Sequence, residues 1–414
     1  MVVNATDLLS RRQVLGPAYR LFYNEPFYPV RAEDVWLYDA QGRRFLDAYN
    51  NVPVVGHCNP KVVAAMAEQA SVLCTHTRYL HHLILDYAER LLSHFPAGLN
   101  QLMLTCTGSE ANDLAIRIAE AATGGKGIVV TSNAYHGVSH LLAQLSPSLA
   151  PVSAFVRTVA PPCSEQGEGE AARFGNDVRL AFEDLAAHGI QPCAFIIDPI
   201  VASDGIDPCA QGSLDLAVQA THAAGALVII DEVQTGFARL GPSWWGFNHA
   251  GVTPDLVTMG KPMGNGYPIA AVVASEALIQ AFADKGRYFN TFGGNPVAVA
   301  AATAVLDELE TRQLPEQVGR LGQLIRQQFG QALSSLGVEA IRGEGLYWGI
   351  QMAPDGKETA AARAARVVND LRDAGVLLNY SGPTMAVLKI RPPLTFNEEH
   401  VGILLTSLKK ALGT

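Results

Sequence analysis

Two short runs, ALVIIDEVQTGFARLG at Ala226–Gly241 and PDLVTMGKPMGNGYP at Pro254–Pro268, decide how the rest of the chain is read. Ala226–Ile230 is apolar and ends at Asp231, and Leu256–Met259 is apolar and ends at Gly260-Lys261. Each run is short, rich in β-formers and bounded by polar, Gly or Pro residues, the pattern of a buried strand. Both therefore deliver a charged residue to the end of a strand in an α/β sheet, where ligands bind in such folds. An acid and a lysine brought together this way suit one chemistry in particular. Lysine can form a Schiff base with pyridoxal 5'-phosphate (PLP), while the acid pairs with the protonated pyridine nitrogen.

Alone, Asp231 and Lys261 also fit a structural salt bridge at a strand end, and fold analogy by itself is weak evidence for a site. Their surroundings favour the ligand. Gly260, Gly264 and Gly266 crowd around Lys261, with Pro262 and Pro268 setting the path. Such backbone must turn sharply or approach a ligand closely.

Working outward, two more strand ends carry polar loops. Leu102–Thr105 runs into TGSEAND at Thr107–Asp113 and then a helical pattern. Strand, small polar turn and helix N-terminus make an anion site, although an ordinary N-cap by Thr107 or Ser109 fits the same residues. Ile128–Thr131 delivers NAYHG at Asn133–Gly137, where Tyr135 can stack on a flat ring and Gly137 lets backbone pass close. A lone YHG is more often packing. Further on, YFNTFGGNP at Tyr288–Pro296 leads into a helix and by itself reads as a Gly-rich cap.

Together these motifs resemble the class III aminotransferases of PLP fold type I, from Leu21 to the C-terminus. LFYNEPFYPVRA, NNVPVVGHC, RYLHHLILDYAERL, MGKPMGNGYP and TFGGNP resemble one branch in particular. It contains alanine–glyoxylate aminotransferase-like proteins and the ethanolamine-phosphate and phosphohydroxylysine phospho-lyases. The resemblance implies PLP as cofactor and no metal. Lys261 would carry the Schiff base and then move a proton, a task that needs a neutral amine, favoured by burial and nearby positive charge. Asp231 would hold the pyridine nitrogen protonated. Gly108 and Ser109 would bind the phosphate, Tyr135 would cover one ring face with His136 beside it, and Val233 would pack on the other face. Gln234 would bond the ring hydroxyl. Thr291 would reach the phosphate of the neighbouring subunit, making a homodimer obligatory for activity.

For the substrate, the resemblance points to Arg78 at the entrance and to Lys389, which stands where many class III enzymes grip a carboxylate with arginine. Arg391, two residues on, is expected to point differently. Asp198 replaces the usual glutamate of a Glu-Pro pair, and Ser203 stands where some relatives carry a second glutamate, so their arginine gate is expected to be missing. His57 reads as a hydrogen-bonded loop histidine. Trp244 and Trp245 fit either core or pocket wall.

Two activities follow from the same resemblance. A transaminase passes an amino group from an amine or amino acid to a keto acid such as pyruvate through pyridoxamine phosphate. A phospho-lyase instead expels phosphate from a phosphorylated amine such as ethanolamine phosphate, with Arg78, Lys389 and Arg391 as candidate cations. Transamination, the commoner activity of the class, is the expected one. An inactive binding module would not need Lys261, Asp231 and both phosphate loops together. A dinucleotide-binding dehydrogenase is excluded, since no G-x-G-x-x-G opens a helix after the first strand.

The chain has 414 residues, 49% hydrophobic and 17% charged, with net charge −9. That composition belongs to a well-buried enzyme of two or three parts and argues against a nucleic-acid partner. No apolar run is long enough to cross a bilayer and the N-terminus lacks a secretory core, so a cytoplasmic enzyme is expected. The six cysteines show no metal spacing and read as buried thiols of a reducing compartment.

The expected architecture is a large domain with a mostly parallel sheet flanked by helices, plus a small α+β domain from both chain ends. Its boundaries are an N-terminal arm and small-domain part at 1–55, the PLP-binding domain at 56–300 and the C-terminal small domain at 301–414. Residues 1–30 read as an irregular arm, Val35–Asn50 as a hairpin, and Pro60–Leu92 as helix interrupted near Cys74–Tyr79. Residues 145–175 read as a long surface excursion before a helix over 176–188.

Overall fold

The computed structural model of the chain describes residues 5–413. An N-terminal set of strands comes first: β1 (Pro29–Glu33), β2 (Trp36–Asp39) and β3 (Arg44–Asp47). The hairpin expected over Val35–Asn50 turns at Asp39–Gly42, which joins β2 to β3. Asp39 Oδ1 accepts the backbone N–H groups of Gln41 at 3.0 Å and Arg43 at 2.9 Å, as aspartate does in turns.

Seven strands follow: β4 (Gln101–Thr105), β5 (Gly127–Thr131), β6 (Val156–Val159), β7 (Pro192–Ile197), β8 (Leu227–Asp231), β9 (Leu256–Met259) and β10 (Ala270–Ala274). They form the central sheet in the order β4-β10-β9-β8-β7-β5-β6, in which β10 alone runs antiparallel to its neighbours. Its strands are continuous apolar runs because both faces are covered. Ile128, Val130, Ala194, Ile196 and Ile229 point to one core, beneath helix Gly108–Thr123. Val129, Phe195, Ile197, Val228 and Ile230 point to the other, with Phe174, Val178 and Phe182 of helix Glu170–Ala187 and with helix Pro296–Thr311. The period of two sorts each strand between the layers.

The last strands are β11 (Val338–Glu344), β12 (Tyr347–Met352), β13 (Val376–Leu377), β14 (Asn379–Ser381) and β15 (Val387–Ile390). Four of them make a sheet in the order β11-β12-β15-β14, while β13 leaves to extend the N-terminal sheet, pairing in parallel with β3. Both chain ends thus contribute to the smaller sheets, as expected. Helix Pro296–Thr311 runs through the expected boundary at residue 300.

Three expectations are corrected. Ala5–Arg11 is helical, with Asp7 and Arg11 one turn apart at 3.7 Å, whereas the aromatic and proline-rich run that follows is irregular up to β1. The supposed excursion at 145–175 contains β6, an edge strand paired with β5, and its helix starts at Glu170. Glu170 accepts the Cys163 N–H at 2.8 Å and pairs with Arg173, which holds the earlier start. The cysteines are all free, yet only Cys193 and Cys209 are buried; Cys58 and Cys74 are exposed, and Cys106 and Cys163 are half-buried. Their loop and helix-end positions, not their polarity, decide this.

Candidate active site

Loops leaving the C-terminal ends of β4, β5, β7, β8 and β9 converge on one cavity of roughly 340 Å³. It is lined by Gly108, Ser109, Tyr135, His136, Asp198, Asp231, Val233, Gln234 and Lys261, among others. Every residue assigned to the cofactor on sequence grounds is in this lining except Thr291.

Asp231 closes β8 and is held from three sides. Its Oδ2 accepts from Asn112 Nδ2 at 2.9 Å and from His136 Nδ1 at 2.8 Å, and its Oδ1 accepts the Val233 N–H at 3.0 Å. His136 therefore acts by orienting Asp231. Asn112 was not anticipated. It also donates to the His136 carbonyl and accepts from Thr258, so it ties three strand ends together. Its signal was a polar residue on the apolar face of helix Gly108–Thr123, which burial obliges to find partners.

Lys261 follows β9 and lies deep in the cavity. Burial, and after it the charge of Arg391, lower its amine to about 8, with Asp231 and Asp198 opposing. The lowering of the lysine anticipated from the sequence thus has both expected causes, burial and a nearby positive charge. Gly260 lets Lys261 come close to the helix N-terminus: a Cβ there would sit 3.2 Å from the Gly108 nitrogen. Gly137 adopts φ +139° and has no room for a side chain, since a Cβ would meet Ser109 Oγ at 2.6 Å.

This donor set fits PLP. Helix Gly108–Thr123 brings its first turn and the Ser109 hydroxyl to the cavity as an anion would need, Tyr135 offers a partly open aromatic ring, Val233 adds an apolar wall, and Asp231 and Lys261 complete the set. Gln234 is committed at its oxygen. Its Oε1 accepts from Tyr347 Oη at 3.1 Å and from Arg391, so a bond to the ring hydroxyl falls to its Nε2.

Lys389 and Arg391 do not diverge. Lys389 Nζ lies 5.8 Å from the Tyr347 ring, and Arg391 shares Gln234 with the Tyr347 hydroxyl, so both reach one group. The correction follows from strand geometry, where residues two apart share a face. Both are buried, just behind the cavity lining. Burial, then Arg391, pushes the Lys389 amine well below its ordinary range, with Asp198 opposing and Lys261 adding to the push. Tyr347 was missed because nothing in its local sequence links β12 to the loop after β8.

Asp198 lines the cavity and accepts the N–H groups of Ile200 and Ala202 at 3.0 Å each. Burial and the neighbouring Asp231 push it up to about 6. Arg78 stays outside, in an exposed turn with its guanidinium 3.7 Å from the Phe289 ring centroid. Thr291 is exposed on a loop that Asn290 fastens to Glu110 at 3.1 Å. His57 is the loop histidine expected, bonded to Asp47 at 2.7 Å. Trp245 is core, donating to the His94 carbonyl at 2.8 Å, and Trp244 stacks on His94. Among the described residues no cluster of His, Cys, Asp and Glu could hold a metal, and no helix is long and apolar enough to cross a membrane.

Comparison with known proteins agrees with this geometry. The family profile Aminotransferase class-III matches residues 22–412. A phospholyase from Arthrobacter, solved in complex with phosphoethanolamine, is 42% identical, with TM-score 0.95 over 99% of this chain and 100% of that one. The ethanolamine-phosphate phospho-lyase homolog 1 of Caenorhabditis elegans is 34% identical over 98% of this chain and 93% of its own. An alanine–glyoxylate aminotransferase 2-like protein of Drosophila melanogaster is 33% identical over 97% of this chain and 86% of its own. The architecture is PLP fold type I.

Proposed function

The chain belongs to the class III aminotransferase family of PLP-dependent enzymes, and from that premise we propose that it eliminates phosphate from a primary amine phosphorylated on the adjacent carbon. The observation that carries this reading is the buried pair Lys389 and Arg391 behind Gln234. A buried guanidinium and a buried amine without an ion pair among the described residues suit an anion, which would also favour protonation of the Lys389 amine, and a phosphomonoester dianion can face both. The similarity to the Arthrobacter phospholyase supports the same choice.

Bound PLP supplies an electron sink for the pair released when the C–H bond beside the amine breaks. Asp231 holds the proton at the pyridine nitrogen. Lys261 Nζ, its amine lowered to about 8 by burial and then by Arg391, takes the proton from the carbon that bears the amine. Lys389 and Arg391, just behind the lining, would supply positive potential to the phosphate as its C–O bond breaks. Overall one water is consumed and an aldehyde, ammonia and inorganic phosphate are formed.

Transamination to a keto acid such as pyruvate is the second reading. It shares the first proton transfer, and Arg391, held in place by Gln234, offers the planar fork that suits a carboxylate. The holoenzyme given phosphoethanolamine without any keto acid should release equimolar phosphate and acetaldehyde. Amine loss that requires a keto acid, with no phosphate released, would establish transamination instead.

The apoenzyme carries its own test of Lys261. Only the unprotonated amine can attack the aldehyde of PLP, so the rate of cofactor uptake should rise with pH through a midpoint of about 8. Stopped-flow absorbance from pH 6.5 to 9.5 measures it, and a flat profile would refute the role of burial.

A homodimer belongs to the same proposal, with Thr291 completing the neighbour's phosphate site. Thr291 stands between the exposed Phe289 and Phe292, and Tyr79 and Leu80 nearby are also open, as a surface that a second copy covers would be.

A further inference from the structure

We infer that Asn112 is a positioning residue for the cofactor's ring nitrogen, filling one oxygen of Asp231 so that the other is left to receive the nitrogen's proton. This role holds for a lyase and a transaminase alike, and rests on the assignment of Asp231 to that nitrogen.

Asn112 lines the cavity and is buried, on helix Gly108–Thr123. None of its hydrogen-bonding groups is idle. Its Nδ2 donates to the His136 carbonyl at 2.7 Å and to Asp231 Oδ2 at 2.9 Å, and its Oδ1 accepts from Thr258 Oγ1 at 2.5 Å. The amide cannot be turned round, because its oxygen would then face the His136 carbonyl and the Asp231 carboxylate, which only accept. Thr258 is buried on β9, where it pairs with Asp231 of β8 in the sheet. The group that holds the amide and the group that the amide holds are thus strand neighbours.

Each carboxylate oxygen has room for two donors. Oδ2 has both, from Asn112 and from His136 Nδ1, whereas Oδ1 has only the Val233 N–H. A further proton therefore goes to Oδ1. Of the two donors on Oδ2, Asn112 is the better anchored, since the His136 ring is bonded at Nδ1 alone and its Nε2 is buried without a partner. Ser109 lies three residues before Asn112, about one helix turn away on the same face. One helix therefore carries the hydroxyl offered to the phosphate and, through Asn112, orients the acid offered to the ring nitrogen.

Cofactor binding to the apoenzyme tests this without turnover. A deaza analogue of PLP keeps the aldehyde, hydroxyl and phosphate and has C–H in place of the ring nitrogen. By equilibrium dialysis, Asn112→Leu should bind PLP about tenfold more weakly than the wild type, and the deaza analogue within about threefold of it. A residue that only supports the fold would weaken both compounds alike, and that outcome overturns the inference, as does unchanged binding of PLP. Should Asn112→Leu fail to fold, Thr258→Val takes its place, removing the hydroxyl that holds the amide while keeping a β-branched shape. It should weaken PLP about two- to fivefold and leave the analogue unaffected, with Thr258→Ser restoring wild-type binding; equal effects on the two compounds would again overturn the inference. Wild-type protein that binds PLP and the analogue equally would refute the assignment of Asp231 to the ring nitrogen, and the role of Asn112 with it.

Discussion

Lys261→Ala is expected to turn over roughly 10⁴-fold more slowly or worse, in a protein that remains folded. The lysine has no understudy. Of the other amines and guanidinia near the cavity, Lys389 and Arg391 lie behind Gln234, outside the lining. The variant should also lack the visible absorbance of lysine-bound PLP. Folding should survive, because Lys261 costs the apoenzyme stability. The folded-state amine sits at about 8, below its ordinary value of 10.5. As pH falls through that interval the unfolded chain takes a proton that the folded chain refuses, so the penalty grows until about pH 8 and persists below it. Alanine removes the penalty and leaves a cavity in exchange. At pH 7 the apo variant should unfold in urea near the wild-type midpoint. Residual activity above about 1% would overturn the assignment of Lys261 as the proton-transfer group.

Asp231→Asn is expected to lower kcat by roughly 10²- to 10³-fold and, unlike Lys261→Ala, to destabilise the fold. An asparagine has the right shape and the wrong hydrogen bonds. Asp231 receives donors at both oxygens, Asn112 and His136 at one and the Val233 N–H at the other. Whichever way the new amide turns, its NH₂ faces a donor, and the buried mismatch should cost about 1–3 kcal/mol. The charge that keeps a proton on the pyridine nitrogen is lost at the same time. Steady-state kinetics together with urea unfolding separate the two effects. A stable variant with less than a tenfold drop in kcat would show that Asp231 is a structural residue.

The cofactor site was legible in the sequence because its parts are local. Each is a short apolar run followed at once by the residue it delivers, as with Ile230 and Asp231, or Met259 and Lys261, and strand-end geometry does the rest. The substrate end was legible only in composition. Lys389 and Arg391 could be named, but their common target required Tyr347 of β12 and Gln234 of the loop after β8, which are far apart in the chain. Arg78 illustrates the reverse case, an arginine in a suggestive segment that the fold leaves stacked on Phe289. Polar partners buried on a helix, such as Asn112, were visible as anomalies whose purpose only the fold explains. The strand β6 was hidden because an edge strand of four residues inside a Pro- and Ser-rich segment gives a weak periodic signal.

The parallel pairing of β3 with β13 has a consequence for biosynthesis. Leu46 leaves the ribosome early, and its partner Val376 emerges only after the whole central sheet has been made. Until then the nascent hairpin Trp36–Asp47 keeps one strand edge open, while residues that line the cofactor cavity up to Ile269 are already available to assemble. An open edge of this kind invites pairing with other chains. Slower translation or lower temperature should therefore favour soluble product, since closing so long a loop is the late event on which the smaller sheets depend.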